Sequence, residues 1–148
     1  MVVGFLQAVG WWTPVVVLFS IGVSMLLSQL VKYIIDPSTI RTLGRDGGMP
    51  STHSAIIGSS LTGIFLVDGI SMLFVFACAV GIIVLRDSFG VRFAVGENAK
   101  VLEQIAPDKF KGRVRVDEGH KPIQLVVGFA LGVLVAVSLV FLAGASIF

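Results

Sequence analysis

The chain contains two histidines, and each stands where a polar stretch meets an apolar one. His53 lies in GGMPSTHSA (residues 47–55), and His120 lies in RVDEGHKPIQLVVG (residues 115–128). An imidazole exchanges a proton near neutral pH and can also attack an electrophile such as phosphorus. These two side chains are therefore the first candidates for chemistry.

The residues around His53 predict the start of a helix. The paired glycines permit backbone angles that are closed to other residues, and Pro50 is tolerated at a helix start. Ser51 is a candidate N-cap, which places unpaired N–H groups near Thr52. Such a helix terminus carries partial positive charge and suits an oxyanion such as phosphate. The alternative interpretation is a capped helix start with an incidental histidine.

His120 has similar surroundings, with Gly119 before it and Pro122 near the first helical turn. Two such helix starts, together with Arg and Lys side chains, can serve phosphoryl transfer. That reaction needs a nucleophile, a proton for the leaving group and stabilisation of the charged oxygens. The sequence has neither a zinc-ligand cluster nor a Walker-type glycine loop, so we expect no metal and no cofactor.

The composition is typical of a membrane protein. Of 148 residues, 55% are hydrophobic and 14% are charged, and the mean hydropathy is +0.97. Soluble domains carry roughly 25% charged residues. The apolar runs predict an all-α integral membrane helical bundle, a single domain over residues 1–148 with about four transmembrane helices, some shorter than the usual ~20 residues. The predicted spans are residues 12–32, 52–67, 70–86 and 122–147, with cytoplasmic loops at 33–51 and 87–121.

The second loop carries two further patterns. Residues 87–105 place their apolar side chains on one side, which predicts an amphipathic cytoplasmic helix on the membrane or over the loops. Four basic residues then alternate with other residues, so an extended segment would put all four on one side. The alternative is a solvated basic loop. The apolar residues are Val91, Val95, Ala99, Leu102 and Ile105, and the basic ones are Lys109, Lys111, Arg113 and Arg115.

The positions of the basic residues predict the topology. All eleven Lys and Arg residues lie either in the first loop, counted from Lys32, or between Arg86 and Lys121. The positive-inside rule makes both loops cytoplasmic and leaves both termini outside. His53 and His120 then open onto the same, cytoplasmic face.

Four ordered segments resemble motifs of a known superfamily. The chain is similar to the divergent branch of the type 2 phosphatidic acid phosphatase superfamily, which also includes vanadium-dependent haloperoxidases. The resemblance implies a metal-independent phosphatase that hydrolyses a phosphate monoester through a phosphohistidine intermediate. The two helix starts beside basic loops on the cytoplasmic side predict that the substrate is a lipid phosphate at the cytoplasmic leaflet. The segments are SQLVK (residues 28–32), GGMPSTHSA, DSFGVRFAVGENA (residues 87–99) and GHKPIQLVVG (residues 119–128).

The resemblance also implies roles for particular residues. His120 matches the nucleophile, and His53 matches the acid that protonates the leaving oxygen. The implied partners are a phosphorylated lipid or other phosphate monoester and membrane lipids, with no nucleic acid. The implied phosphate-binding residues are Lys32, Arg41, Arg115, Ser51 and Thr52, and the supporting candidates are Gln124, Asp87, Arg92 and Glu118.

Three positions depart from the superfamily pattern. Arg41 is followed by Thr42 instead of proline, and Val114 stands where an arginine is usual. Gln124 stands where the superfamily has an acid, and an amide contributes no charge to orient the imidazole of His120. The alternative function is therefore a weak or inactive relative that binds anionic lipid or a partner protein. A transporter or channel subunit is disfavoured, because no ionisable residue lies in the middle of a span.

The last span also carries a GxxxG pair, Gly128 and Gly132. Small residues at this spacing allow close contact between membrane helices. The contact could lie within one bundle or in a homodimer, and the sequence leaves both open.

Overall fold

The computed structural model describes residues 12–37, 48–107 and 121–145. These residues form helices and contain no β-strand, so the predicted all-α membrane bundle is confirmed. The α-helices are α1 (Trp12–Ile35), α2 (Thr52–Asp68), α3 (Met72–Arg86), α4 (Arg92–Ile105) and α5 (Pro122–Ala145). A π-helical segment, Asp87–Val91, joins α3 to α4.

The second helix, α2, is the centre of the bundle. It packs most extensively against α5 and also contacts α1 and α3. Lipid tails are as apolar as leucine side chains, so membrane helices associate by close packing and hydrogen bonds more than by hydrophobic burial. The buried side of α2 is accordingly built from small residues, namely Thr52, Ser54, Ala55, Gly58, Ser59 and Gly63.

The closest helix contact joins α2 to α5 through the GxxxG pair. A Cβ atom at Gly128 would overlap the Ser51 carbonyl oxygen, and one at Gly132 would overlap the Ala55 carbonyl oxygen. Residue numbers rise in the same direction in α2 and α5 along this contact, so the two helices run parallel. The predicted close approach therefore lies within the chain, and a homodimer would need a different face.

One face of α1 carries polar side chains that are buried. The hydroxyls of Ser24 and Ser59 are hydrogen-bonded at 2.9 Å, and those of Ser28 and Thr52 at 3.1 Å. These pairs show that α1 and α2 run antiparallel. These polar residues are four positions apart in the sequence, so their side chains form one stripe along α1. The buried residues of the stripe are Ser20, Ser24, Ser28 and Lys32.

Three of the described helical stretches are long and apolar enough to cross a membrane. The shorter α2 has 17 residues. At that length it extends about 26 Å, slightly less than the ~30 Å hydrocarbon core. These stretches overlap three of the four predicted spans, and the number and bounds of the spans stay predictions. The three stretches are Thr13–Ile35, Met72–Ile105 and Pro122–Ala143.

The amphipathic helix predicted after the third span is present as α4, but it continues α3. Met72–Ile105 is one helical stretch of 34 residues, with the π-helical segment inside it. The polar pair at Arg86 and Asp87 marks a change of polarity and not the end of the helix. On α4, Ala99 is buried, whereas apolar residues such as Leu102 and Ile105 are exposed.

Candidate functional site

The start of α2 has the geometry that its sequence predicts. Ser51 is the N-cap, with extended backbone angles (φ −71°, ψ 119°), and its Oγ accepts a hydrogen bond from the Ser54 N–H at 3.4 Å. Gly48 has a φ of 78°, in the left-handed region that favours glycine. The tight loop before the helix therefore depends on glycine there, and the predicted cap is confirmed.

The start of α5 lies directly beside it. The Ser51 N–H donates to the Gln124 carbonyl oxygen at 3.0 Å, and α5 begins at Pro122 as predicted. His53 lies in the first turn of α2, and His120 precedes Pro122 by two residues. His120 itself lies outside the described residues. The structure thus brings together the two helix starts that the histidines mark.

Lys32 supplies a buried cation beside this junction. It is 5% exposed, and its Nζ donates to Thr52 Oγ1 at 3.4 Å. Its aliphatic chain lies against Gly48, where a Cβ atom would be 3.6 Å from Lys32 Cγ. In the described part of the chain, no carboxylate forms an ion pair with Lys32. A buried charge without a counter-charge costs free energy, so an anion bound here would offset that cost.

Thr52 links Lys32 to the polar stripe on α1. Its Oγ1 accepts from Lys32 and is also hydrogen-bonded to Ser28 Oγ. Sequence analysis missed Ser28 as part of the site. The available signal was its position one helical turn before Lys32 on the same face of α1.

Two groups of opposite charge lie near His53. Its ring is half-buried, and both the Lys32 ammonium and the Asp87 carboxylate lie within electrostatic range of it. Asp87 opens the π-helical segment, and its Oδ2 lies 3.2 Å from Arg92 Nε. Two of the predicted supporting residues, Asp87 and Arg92, are therefore on the side of the bundle where α2 begins.

Gln124 has a structural role in this region. Its Oε1 accepts from the Lys121 N–H at 2.9 Å, which is the capping-box arrangement of a residue in the first turn bonding back to the helix start. Its carbonyl oxygen binds Ser51. Gln124 therefore caps α5 with its side chain and joins α5 to α2 with its backbone.

Several predicted site residues lie outside the described residues, so their roles stay predictions. Within residues 12–37, 48–107 and 121–145, no group of His, Cys, Asp or Glu side chains is placed to hold a metal ion. The described site consists of a buried lysine, two adjoining helix starts and a histidine with groups of opposite charge nearby. The predicted residues outside it are His120, Arg41, Arg115 and Glu118.

The sequence of the chain is similar to those of other membrane proteins. The sequence model of a family described as "Divergent PAP2 family" matches residues 15–135. The chain is also similar to YuiD of Bacillus subtilis (strain 168), which is named as an uncharacterized membrane protein. The two are 27% identical over 141 residues, covering 80% of this chain and 89% of that protein. No solved structure matches the chain.

Proposed function

The chain belongs to the divergent PAP2 family, and from that premise we propose that it is a membrane-embedded phosphatase. It hydrolyses a phosphate monoester, namely a lipid phosphate at the cytoplasmic leaflet, without a metal ion. One observation carries the proposal. The helix start that bears His53 is hydrogen-bonded to the helix start that follows His120, through Ser51 and Gln124.

The proposed reaction uses the two histidines in sequence. His120 attacks phosphorus, so a P–N bond forms while the P–O bond to the lipid alcohol breaks. His53 gives its proton to the departing oxygen. Water then attacks the phosphohistidine and gives a proton to the now neutral His53, while the P–N bond breaks. Inorganic phosphate is released, and both histidines are regenerated. Lys32 and the N–H groups at the start of α2 stabilise the negative charge on the phosphoryl oxygens.

Apolar side chains around the site support a lipid substrate. Lys32 lies in the last turn of α1, a helix apolar enough to cross a membrane, so its ammonium is near headgroup level. Large apolar residues close to the two helix starts and to Asp87 are exposed. Exposed apolar residues near a cationic site suit a substrate that has both a phosphate and a hydrocarbon tail. These residues are Ile34, Met49, Phe89 and Ile123.

Phosphate release by the purified protein in detergent tests the proposal. The substrates are phosphatidic acid, phosphatidylglycerophosphate and a prenyl phosphate. We expect His53→Ala to reduce turnover by roughly 100-fold or more, because positioned proton donors contribute about that much. His120→Ala removes the nucleophile and should abolish it. Lys100→Ala, on the exposed side of α4, is the control and should retain activity. Activity unaffected in both histidine variants would refute the assignment.

The second candidate is an inactive relative that binds anionic lipid through the same pocket. The cap made by Gln124 favours it, because that side-chain oxygen is engaged by the Lys121 N–H. This candidate predicts orthovanadate binding without turnover on any of the three substrates. It also predicts no gain of phosphatase activity in Gln124→Glu. This change preserves the cap, because a glutamate side chain can accept the same hydrogen bond from the Lys121 N–H. Turnover by the wild type would exclude this candidate.

A further inference from the structure

We propose that Asp87 is a positioning residue for His53, and that its carboxylate favours the protonated imidazole that donates to the leaving group. This inference rests on the proposed function, because a proton donor is needed only if a leaving group departs. Asp87 itself neither gains nor loses a proton in the reaction. The proton passes from His53 to the oxygen of the breaking P–O bond.

The packing of α3 on α2 brings Asp87 to the level of His53. The two helices run antiparallel, because Phe74 near the start of α3 stacks on Phe65 near the end of α2, with ring centroids 5.5 Å apart. Farther along α3, a Cβ atom at Gly81 would lie 3.0 Å from Ile57 Cγ2. The end of α3 therefore reaches the beginning of α2, and Asp87 follows directly after α3.

The π-helical segment is seated against the bundle. Ser88 is 2% exposed, and its Oγ donates to the Val84 carbonyl oxygen at 2.9 Å. Single π-helical turns inside α-helices are frequent at functional sites, since the extra residue re-aims the side chains around it. Asp87 is the first residue of this segment, and the buried Ser88 orients the π-helical turn relative to the rest of the bundle.

The charges around His53 explain why a carboxylate is needed. A proton donor must hold a positive charge before the reaction, and both burial and the nearby Lys32 ammonium oppose that charge. The opposite charge of Asp87 offsets part of these effects, of which burial is the larger. Among the described groups, Lys32 on α1 and Asp87 on the π-helical segment act on His53, and Arg92 is paired with Asp87. Lys121, at the start of α5, is exposed.

The ion pair between Asp87 and Arg92 holds the Asp87 carboxylate in position and contributes little to the stability of the fold. Their side chains are 46% and 37% exposed, and pairs this accessible contribute about 0–1 kcal/mol to folding. The charge can therefore be removed without unfolding the protein. Asp87→Asn keeps the size of the side chain and a hydrogen-bond acceptor while removing the negative charge, which isolates its electrostatic effect.

The test follows the titration of His53 by NMR and needs no turnover. In a His120→Gln background, His53 is the one remaining histidine, because the chain has two. We expect its titration midpoint to move to lower pH in Asp87→Asn. Asp68→Asn is the matched control, since Asp68 is exposed at the opposite end of α2, and it should leave the midpoint in place. An unmoved midpoint in Asp87→Asn overturns the proposal.

Kinetics then separate this proposal from the phosphatase assignment. In the chain with both histidines, Asp87→Asn should move the alkaline limb of the kcat–pH profile to lower pH with KM little changed, and Asp87→Glu should restore it in part. If Asp87 had a purely structural role, Asp87→Asn would lower kcat equally at all pH values. That result would contradict the proposal. If the wild type hydrolyses none of the substrates, the phosphatase assignment fails, while the NMR titration still decides whether Asp87 acts on His53.

Discussion

The Ser51 N–H donates to the Gln124 carbonyl oxygen at 3.0 Å, and this bond joins the starts of α2 and α5. These starts are far apart in the sequence, yet each is marked by a histidine. Because Gly128 lets the α5 backbone approach Ser51 directly, the two helix ends cannot drift apart without breaking this contact. Two positive helix termini are thereby held together next to the ammonium of Lys32, an arrangement that favours a bound anion.

Gly132→Ala tests whether this helix contact sets the stability of the bundle. The added methyl group would overlap the Ala55 carbonyl oxygen and would lie 2.7 Å from the Ser59 nitrogen. Overpacking of this kind costs about 1–3 kcal/mol of unfolding free energy. Thermal denaturation in detergent should show a lower midpoint. Gly22→Ala is the control, because a Cβ atom there meets nothing within 4 Å. Equal stability of the two variants would contradict the close contact.

The hydroxyl pair between Ser24 and Ser59 should stabilise the contact of α1 with α2. A double-mutant cycle with Ser24→Ala and Ser59→Ala isolates their interaction. We expect a coupling free energy of about 0.6 kcal/mol, the average for side-chain hydrogen bonds between membrane helices. Ser60→Ala serves as the control for Ser59→Ala, because the Ser60 hydroxyl bonds to Ile56 in its own helix. A cycle with Ser60 in place of Ser59 should give no coupling.

Replacement of Lys32 should separate anion binding from folding. Lys32→Met keeps the length of the side chain but removes a buried ammonium that has no described counter-charge. Replacing a buried charge with an apolar group is often neutral or stabilising, so we expect thermal stability to be kept or raised. Inhibition by orthovanadate should weaken by roughly tenfold or more, since hydrogen bonds to charged groups contribute about 1.5–3 kcal/mol.

Lys100→Met provides the comparison for that measurement. Lys100 lies on α4 and pairs with Glu97 at 3.0 Å on an exposed surface. Its replacement should leave vanadate inhibition unchanged. If orthovanadate inhibits the wild type, Lys32→Met and Lys100→Met equally, Lys32 does not contact the anion.

The helix starts could be predicted because their signals are local. Ser51 caps α2 and Pro122 opens α5 as expected, since a capping hydroxyl and a proline act on their own first turn. The continuity of α3 with α4 could not be predicted in the same way. The charges at Arg86 and Asp87 report where the chain becomes polar, and a helix can continue through such a point when π-helical bonding keeps the backbone satisfied.

The partners of small residues could not be predicted either. Gly128 and Gly132 show that their face permits close approach, but the spacing is the same for a helix of the same chain and for a second copy. Ser24 is a further example, because the spacing of Ser20, Ser24 and Ser28 marks one face of α1 but not the helix that packs against it. Only its hydrogen bond to Ser59 shows that it lies between two helices. Such pairings depend on tertiary packing and leave no mark in the local sequence.

The most direct measurement is an experimental structure of the protein with orthovanadate, a tetrahedral anion that stands in for phosphate. We expect vanadate at the junction of α2 and α5, in contact with Lys32 and with both imidazole rings, those of His53 and His120. Rings that point to separate places, or an anion bound by only one of them with the other beyond reach, would contradict the proposed reaction.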